Sequence, residues 1–574
     1  MKAQIEICNL HYRLGSHSEV QADILRGISL SIKKGSFVAV VGENGSGKTT
    51  LLKHINGLLL PSTGSVRVEG IDTKDPQHVR NLRAKVGMVF QDPAHQIVAS
   101  TVEEDIAFGL ENLNLPSKTI QSIVTDQLIS AGLSAEASRP PHLLSCGQIQ
   151  RLALAGVLAR QPSVILFDEP TSMLDPLSRS NLLARIRDLK QHGITIIYVT
   201  HHMEEAVKAD RVIVMKQGKV FMEGSPDEIF VNNDKLYEIG LEAPEAIKMA
   251  RGFRTLGWKI SPSVLTDESL LNTLPQYDRP CGVSPVEPVS EQSEKLIGFR
   301  DVRYTYLSGS PLAKKALRGV NLDINLQRVH GIVGSNGSGK STLLQHINGI
   351  LRASSGHIRV DQFVIKDKEP PLREIIKQVG LVFQNPETQF FEVFVGDEIA
   401  YGPKQFDFND LRDRVSSAMA LVGLDFETFK DRRLETLSGG EKRKVALAST
   451  LILDQNILLF DEPTAGMDPR SRDDLLTLFG NLNDEGKTIV IASHRMEELA
   501  EVTNDLSIMH AGQVEISGKS KNILQNTTIL RQTGLEPPLA VRLSRQLIMN
   551  GWPIDGKNTT TGKRLIQTIR EVTR

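Results

Sequence analysis

GENGSGKTTLLKHINGLL at 42–59 follows directly on the apolar run FVAVV at 37–41 and decides the fold. Gly42-Glu43-Asn44-Gly45-Ser46-Gly47-Lys48-Thr49 fits G-x-x-x-x-G-K-[ST] between a strand and a helix. Glycines there let successive backbone N–H groups turn inward around a phosphate, and the helix N-terminus that follows favours negative charge. In this reading Gly42, Asn44, Gly45, Gly47 and Thr50 build the cradle. Lys48 neutralises the β- and γ-phosphates, and the Thr49 hydroxyl ligates a divalent cation.

The same stretch returns as GSNGSGKSTLLQHINGIL at 334–351, an offset of 292. Gly334, Asn336, Gly337, Gly339, Lys340, Ser341 and Thr342 take the corresponding roles. Outward from these loops, VGMVFQDP at 86–93 reappears as VGLVFQNP at 379–386, and VILFDEPTS at 164–172 as ILLFDEPTA at 457–465. GLEAPEAIKMARGFRTLGWKI at 240–260 returns as GLEPPLAVRLSRQLIMNGWPI at 534–554, which pairs the two tryptophans, Trp258 and Trp552. The unit is too long for a solenoid repeat, so the chain is a tandem duplication. RPCGVSPVEPVSEQSEKL at 279–296 has no apolar periodicity and reads as a linker. The expected division is 1–230 and 297–524 as the two large domains, with small helical extensions at 231–278 and 525–574.

In each half, short apolar runs such as FVAVV, VILF (164–167) and TIIYV (195–199) read as buried parallel strands. Residues 101–143 read mainly as helix with a break around Leu115–Pro116. The expected fold is α/β, a doubly wound core with an inserted helical subdomain, present twice.

At 574 residues the chain exceeds one domain of about 150 and needs no staples to bury a core. Sixty-seven Lys and Arg against 68 Asp and Glu give a net charge of -1, which argues against a nucleic-acid backbone as the main partner. Three cysteines give no disulfide framework and suit a reducing compartment. No stretch approaches the roughly 20 apolar residues that span a bilayer, and Glu6, His11 and Arg13 interrupt any secretory apolar region. The expected location is cytoplasmic, with any membrane work requiring another subunit.

Phosphoryl transfer needs a carboxylate for the metal and a group that orients water. VILFDE (164–169) and ILLFDE (457–462) offer both: Asp168 and Asp461 for Mg²⁺, Glu169 and Glu462 to polarise the attacking water. Lys442-Arg443-Lys444 reads as a solvated basic face of a helix.

LSCGQ at 144–148 and LSGGE at 437–441 bring a family into view: each half resembles an ATP-binding cassette (ABC) ATPase with a P-loop NTPase core. The resemblance implies that Gln91 and Gln384 are Gln-loop residues that sense the metal and couple to a membrane partner, and that His201 and His494 are switch histidines touching the γ-phosphate. Each histidine follows its glutamate by 32 residues (201 − 169 and 494 − 462). Ser172 to Asp175 and Ala465 to Asp468 match the D-loop. The family also implies composite sites in which one cassette's signature completes the other's nucleotide site. One then combines Lys48, Gln91, Glu169 and His201 with Ser438, Gly440 and Glu441; the other combines Lys340, Gln384, Glu462 and His494 with Ser145, Gly147 and Gln148. Both keep a glutamate and a histidine, so two hydrolytic sites are expected.

Two positions depart from the pattern. Cys146 stands where the signature has its first glycine. Tyr306 matches the aromatic that stacks on adenine, but its gap-free counterpart is Leu14, which leaves the first site weaker for ATP unless Tyr12 substitutes.

FQDPAHQIVASTVEEDIAFGLEN (90–112) and FQNPETQFFEVFVGDEIAYGP (383–403), with the GLExP and GW tails, resemble energy-coupling factor (ECF) and cobalt/nickel-type cassettes. That resemblance implies a pseudo-dimer energising a vitamin or transition-metal importer at the cytoplasmic face of a membrane. Its partners are then a transmembrane coupling protein and a small substrate-capture membrane protein. A soluble tandem cassette acting on ribosomes or DNA is the alternative, disfavoured by the short Pro/Ser-rich linker and the neutral charge balance. A fused sugar-importer ATPase is a third reading, disfavoured by the two intact sets of site residues.

Overall fold

The computed structural model describes residues 3–14, 22–172, 174, 176–277, 294–310, 313–365, 372–465 and 467–573. It divides into two compact units, Met1–Leu270 and Leu271–Arg574, each built on two sheets.

In the first unit the six-stranded sheet runs Lys219–Gly224, Arg211–Lys216, Phe37–Gly42, Thr195–Val199, Val164–Asp168, Val86–Val89. Five of these strands are parallel, and Lys219–Gly224 closes one edge antiparallel. Phe37–Gly42 is buried along its whole length, as a parallel strand covered on both faces must be. Its alternate residues serve different cores: Val38 and Val40 pack with Leu51, Ile55 and Val66, while Ala39 and Val41 pack with Phe167, Ile186 and Tyr198. The former core lies beneath a four-stranded antiparallel sheet of Ala22–Lys33, Ala3–Leu14, Thr63–Val68 and Ile71–Asp72.

The helical subdomain is inserted between Val86–Val89 and Val164–Asp168. Thr101 opens helix Val102–Glu111 with a capping box to Glu104, which satisfies two backbone donors at once. Pro116 precedes helix Ser117–Ala131, the expected break, and Gly132 ends it in the left-handed region at φ +61°. Helix Cys146–Ala159 then carries the chain back to the sheet.

The second unit repeats the plan, with Gln513–Lys519, Asp505–His510, Val329–Val333, Thr488–Ser493, Ile457–Asp461 and Val379–Val382 in the large sheet. Its inserted helices are Val395–Gln405, Leu411–Leu421 and Gly439–Leu451.

The division between units falls at Leu270/Leu271, ahead of the Pro/Ser-rich stretch. The residues that open the second unit lie on its own C-terminal extension: Trp552 Nε1 donates to the Pro275 carbonyl at 2.9 Å, and the Tyr277 and Trp552 rings are 4.9 Å apart. Of the expected linker, 279–293 lies outside the described residues. Lys295 and Leu296 already belong to strand Lys295–Tyr306, paired with Asn325 and Asp361, because backbone partners outweigh a polar composition.

Candidate active site

Each Gly-rich turn joins a buried strand to a helix whose cap is a left-handed glycine, Gly47 at φ +96° and Gly339 at φ +106°. A Cβ on Gly42 would lie 2.3 Å from the Met215 carbonyl oxygen, and one on Gly334 equally close to that of Met509. Close backbone approach therefore fixes both first glycines.

Lys48 is buried and donates to the Gly42 and Glu43 carbonyls, both at 2.9 Å. Lys340 does the same to Gly334 and Ser335 at 2.8 and 3.2 Å. Burial pulls both ammonium pKa values down, and the nearby acidic pairs Asp168–Glu169 and Asp461–Glu462 oppose the shift. Ser46 Oγ and Ser338 Oγ are buried inside the loops without a hydrogen-bond partner, as donors waiting for an anion would be.

Thr49 Oγ1 donates to Asp168 Oδ1 at 3.0 Å, and Ser341 makes the matching bond to Asp461. Burial raises both carboxyl pKa values, and the adjacent glutamate adds to the rise. Asp461 Oδ1 has no hydrogen-bond partner. In each half a hydroxyl beside a buried carboxylate, with an unmatched oxygen on Asp461, forms an oxygen-rich donor set that suits Mg²⁺.

Glu169 and Glu462 both stand in the left-handed region, at φ +47° and +49°. Non-glycine residues held there are strained and cluster at working sites. In the first unit His201 Nε2 lies 2.5 Å from Glu169 Oε1, and Gln91 Nε2 donates to Glu169 Oε2 at 3.3 Å. In the second, His494 Nδ1 lies 2.9 Å from Glu462 Oε2. Each half thus gathers its lysine, aspartate, glutamate and histidine at the ends of parallel strands. Gln91 joins its group through the side chain, while Gln384 is tied in through its carbonyl.

Both signatures begin helices. Ser145 and Gln148 form a capping box, as do Ser438 and Glu441, with the serine hydroxyl accepting from the third helical N–H at 3.3 Å in each. A Cβ placed on Gly439 or Gly440 meets nothing within 4 Å. The position equivalent to Cys146 therefore has room for a side chain in the second half; the Cys146 side chain itself is outside the described residues. In the D-loops, Met173, Asp175 and Gly466 are also outside them, whereas Asp468 caps helix Pro469–Asp484 through Ser471 N.

Two expectations are corrected. Tyr12 does not replace Tyr306: its ring meets His54 edge-on at 4.7 Å, as Tyr304 meets His346 at 4.9 Å. Tyr12 is thus the counterpart of Tyr304, while Tyr306 packs against Tyr304 and its hydroxyl lies 3.1 Å from Thr342 Oγ1. The triplet at 442–444 is not a solvated face either. Arg443 is buried and spans two backbone carbonyls, and Lys442 pairs with Glu387 at 2.5 Å.

Sequence reasoning missed Arg443, although a helical signal existed. Arg443, Ala446, Leu447 and Thr450 recur at helical spacing on the buried stripe of Gly439–Leu451. It also missed Asp105 and Glu398, which accept the backbone N–H groups of Val98 and Ala99, and of Phe391 and Glu392. They hold the stretch that follows each Gln loop.

The family described as ABC transporter matches residues 25–172 and 317–465. A putative ABC transporter ATP-binding protein of Caldanaerobacter subterraneus subsp. tengcongensis is 33% identical over 558 residues, covering 95% of this chain and 96% of that one. The energy-coupling factor transporter ATP-binding protein EcfA1 of Clostridium novyi is 46% identical over 273 residues, 47% of this chain and 98% of that one. The solved structure of cbiO1 from Clostridium perfringens, described as part of the ABC transporter complex cbiONQ, covers 45% of this chain and 99% of that one, at 30% identity and a TM-score of 0.36. The chain belongs to the ABC transporter ATP-binding family, and it carries the ATPase domain twice. It is an ATP-binding and ATP-hydrolysing subunit of a transporter. Among the described residues no helix is long and apolar enough to cross a membrane.

Proposed function

We propose that this ATPase energises a membrane importer of the energy-coupling factor type, for a vitamin or a transition-metal ion, from the cytoplasmic face. The observation that carries the reading is the apolar stretch exposed beside each Gln loop. Val98 is 69% exposed in the first half; Phe391 is 76% exposed in the second, with Val393 and Phe394 beside it. Exposed apolar groups clustered next to a nucleotide-responsive loop suit a protein partner. The transmembrane coupling protein is that partner, and a second membrane protein captures the substrate. The likeness to EcfA1 supports the class.

Two ATP molecules are held between the halves, each by the Gly-rich loop of one and the signature of the other. Ser438, Gly440 and Glu441 complete the site of Lys48, and Ser145, Gly147 and Gln148 that of Lys340. A helix N-terminus with a serine hydroxyl supplies the donors that a γ-phosphate requires. Thr49, Asp168 and Gln91, and likewise Ser341, Asp461 and Gln384, are the residues that would hold Mg²⁺, which when bound offsets phosphate charge. Glu169 and Glu462 orient and polarise water, while His201 and His494 fix those carboxylates and reach the γ-phosphate. Lys48 and Lys340 hold the phosphate chain. Losing the γ-phosphate removes the bridge between halves, and their parting moves the membrane partner.

Recovery of the chain from membranes in mild detergent tests this. Integral membrane proteins should co-purify, and Val98→Ser with Phe391→Ser should release them while ATP turnover persists. Sedimentation with ribosomes and bare membranes would overturn the transport reading. Separately expressed halves should hydrolyse ATP poorly alone and recover on mixing; full activity of either half at high dilution refutes the composite sites.

A further inference from the structure

The second half fastens its Gln loop to its signature helix through Arg443, Lys442 and Gln389. Arg443 donates from Nη1 to the Glu462 carbonyl and from Nη2 to the Gln384 carbonyl, both at 2.7 Å. One planar guanidinium therefore joins the peptide of the candidate water-polarising glutamate to that of the Gln-loop glutamine. Two further ties lie alongside. Lys442 Nζ meets Glu387 Oε1 at 2.5 Å, and Gln389 Nε2 donates to the Ala446 carbonyl at 3.1 Å.

At the corresponding positions the first half has Gln150, Ile149 and Ala94. Gln150 is only 3% exposed, and its Nε2 has no hydrogen-bond partner. Gln96, the counterpart of Gln389, turns back on its own loop and accepts from Phe90 N. A single amide cannot reproduce the fork that lets arginine hold two carbonyls in fixed directions. The peptide held by Arg443 is the one in the left-handed region at φ +49°, so fixing its carbonyl also fixes where the Glu462 carboxylate projects.

We infer that Arg443 is a positioning residue for ATP turnover at Glu462, and that it makes the Gln loop and signature helix of the second half move as one piece. The inference rests on the reading of Glu169 and Glu462 as the turnover glutamates. The first half has no equivalent brace through Gln150, so its Gln loop responds to nucleotide more independently of its signature helix.

The full-length chain tests this in two backgrounds, Glu169→Gln, where turnover depends on Glu462, and Glu462→Gln, where it depends on Glu169. Arg443→Gln should lower kcat about tenfold in the Glu169→Gln background and leave the KM for ATP within about twofold, the scale of losing a hydrogen bond to a charged group. The loss in the Glu462→Gln background should be at least about fivefold smaller. Arg443→Lys, which keeps the charge but loses the fork, should recover part of the rate. Equal losses in the two backgrounds, or KM and kcat falling together, would overturn the positioning role. On the wild-type chain, amide hydrogen exchange at 384–392 should be slower than at 91–99; equal or faster exchange overturns the brace without any variant. If neither glutamate substitution lowers turnover, the glutamate assignment fails instead, a separate result.

Discussion

The two halves carry the same ATPase parts on the same strands, yet they differ where those parts are held. The first half pairs Glu169 with both His201 and Gln91 through side chains. The second pairs Glu462 with His494 and secures its Gln loop through the buried Arg443. The second also buries a histidine, His330, where the first has Val38 in the equivalent strand. Duplicated sequence has preserved the chemistry and let the scaffold around it diverge. A fused chain permits this, because its two halves need not keep one common sequence.

The sharpest way to break the comparison is to remove both glutamates. Glu169→Gln with Glu462→Gln should cut turnover by about 10²- to 10⁴-fold, with ATP binding retained in an equilibrium binding assay. Near wild-type turnover would remove the water-polarising role from both. The single variants sharpen it: two working sites predict a substantial loss from each.

His330 offers a test of stability confined to the second half. It is fully buried, its Nε2 lies 2.7 Å from Ser507 Oγ, and burial pushes its pKa down to about 4 while Asp505 opposes the shift. The unfolded chain takes up this proton near pH 6.5, the folded one only near 4. Stability from this group is therefore complete above about pH 6.5 and is lost as pH falls towards 4, by about 3 kcal/mol in all. His330→Val, which imports the residue of the first half, should flatten that part of the pH dependence in denaturant melts at pH 7 and 4.5. An unchanged slope would show that another group controls it.

His201→Ala and His494→Ala should each cost about 10- to 100-fold at their own site, the range for losing a hydrogen bond to a charged group. Steady-state rates in the two single-glutamate backgrounds separate the sites. A loss at only one would make the halves unequal in chemistry as well as in support.

The smallest effect concerns adenine. Tyr306→Leu should weaken ATP binding at the second site by about 0.5–1.5 kcal/mol, and Leu14→Tyr should strengthen it at the first. Fluorescent-nucleotide titration reads both, and no change in either would remove Tyr306 from the base pocket.

Much of this was legible in the chain because repetition suppresses chance. Lys48 and Lys340, Asp168 and Asp461, and Glu169 and Glu462 were placed by strand–turn–helix order, and the structure brings each set together. Phe37–Gly42, Val164–Asp168 and Thr195–Val199 stood out because parallel strands covered on both faces must be apolar throughout. Tyr12 misled because a two-residue shift along a strand keeps a side chain on the same face and moves it to a different neighbour.

The sequence by itself determined the duplicated α/β cassette, the phosphate cradles and the acidic pairs at the strand ends. These follow from local periodicity and from glycines that a backbone close to other backbone requires. Only the tertiary structure decided that Arg443 is buried and bridges Gln384 to Glu462, that Tyr12 belongs to His54, and that His330 is sealed from water. Charge composition treats an arginine on a helix as solvated. Whether it is depends on which carbonyls the fold leaves within reach of its guanidinium, and those lie 19 and 59 residues away in sequence.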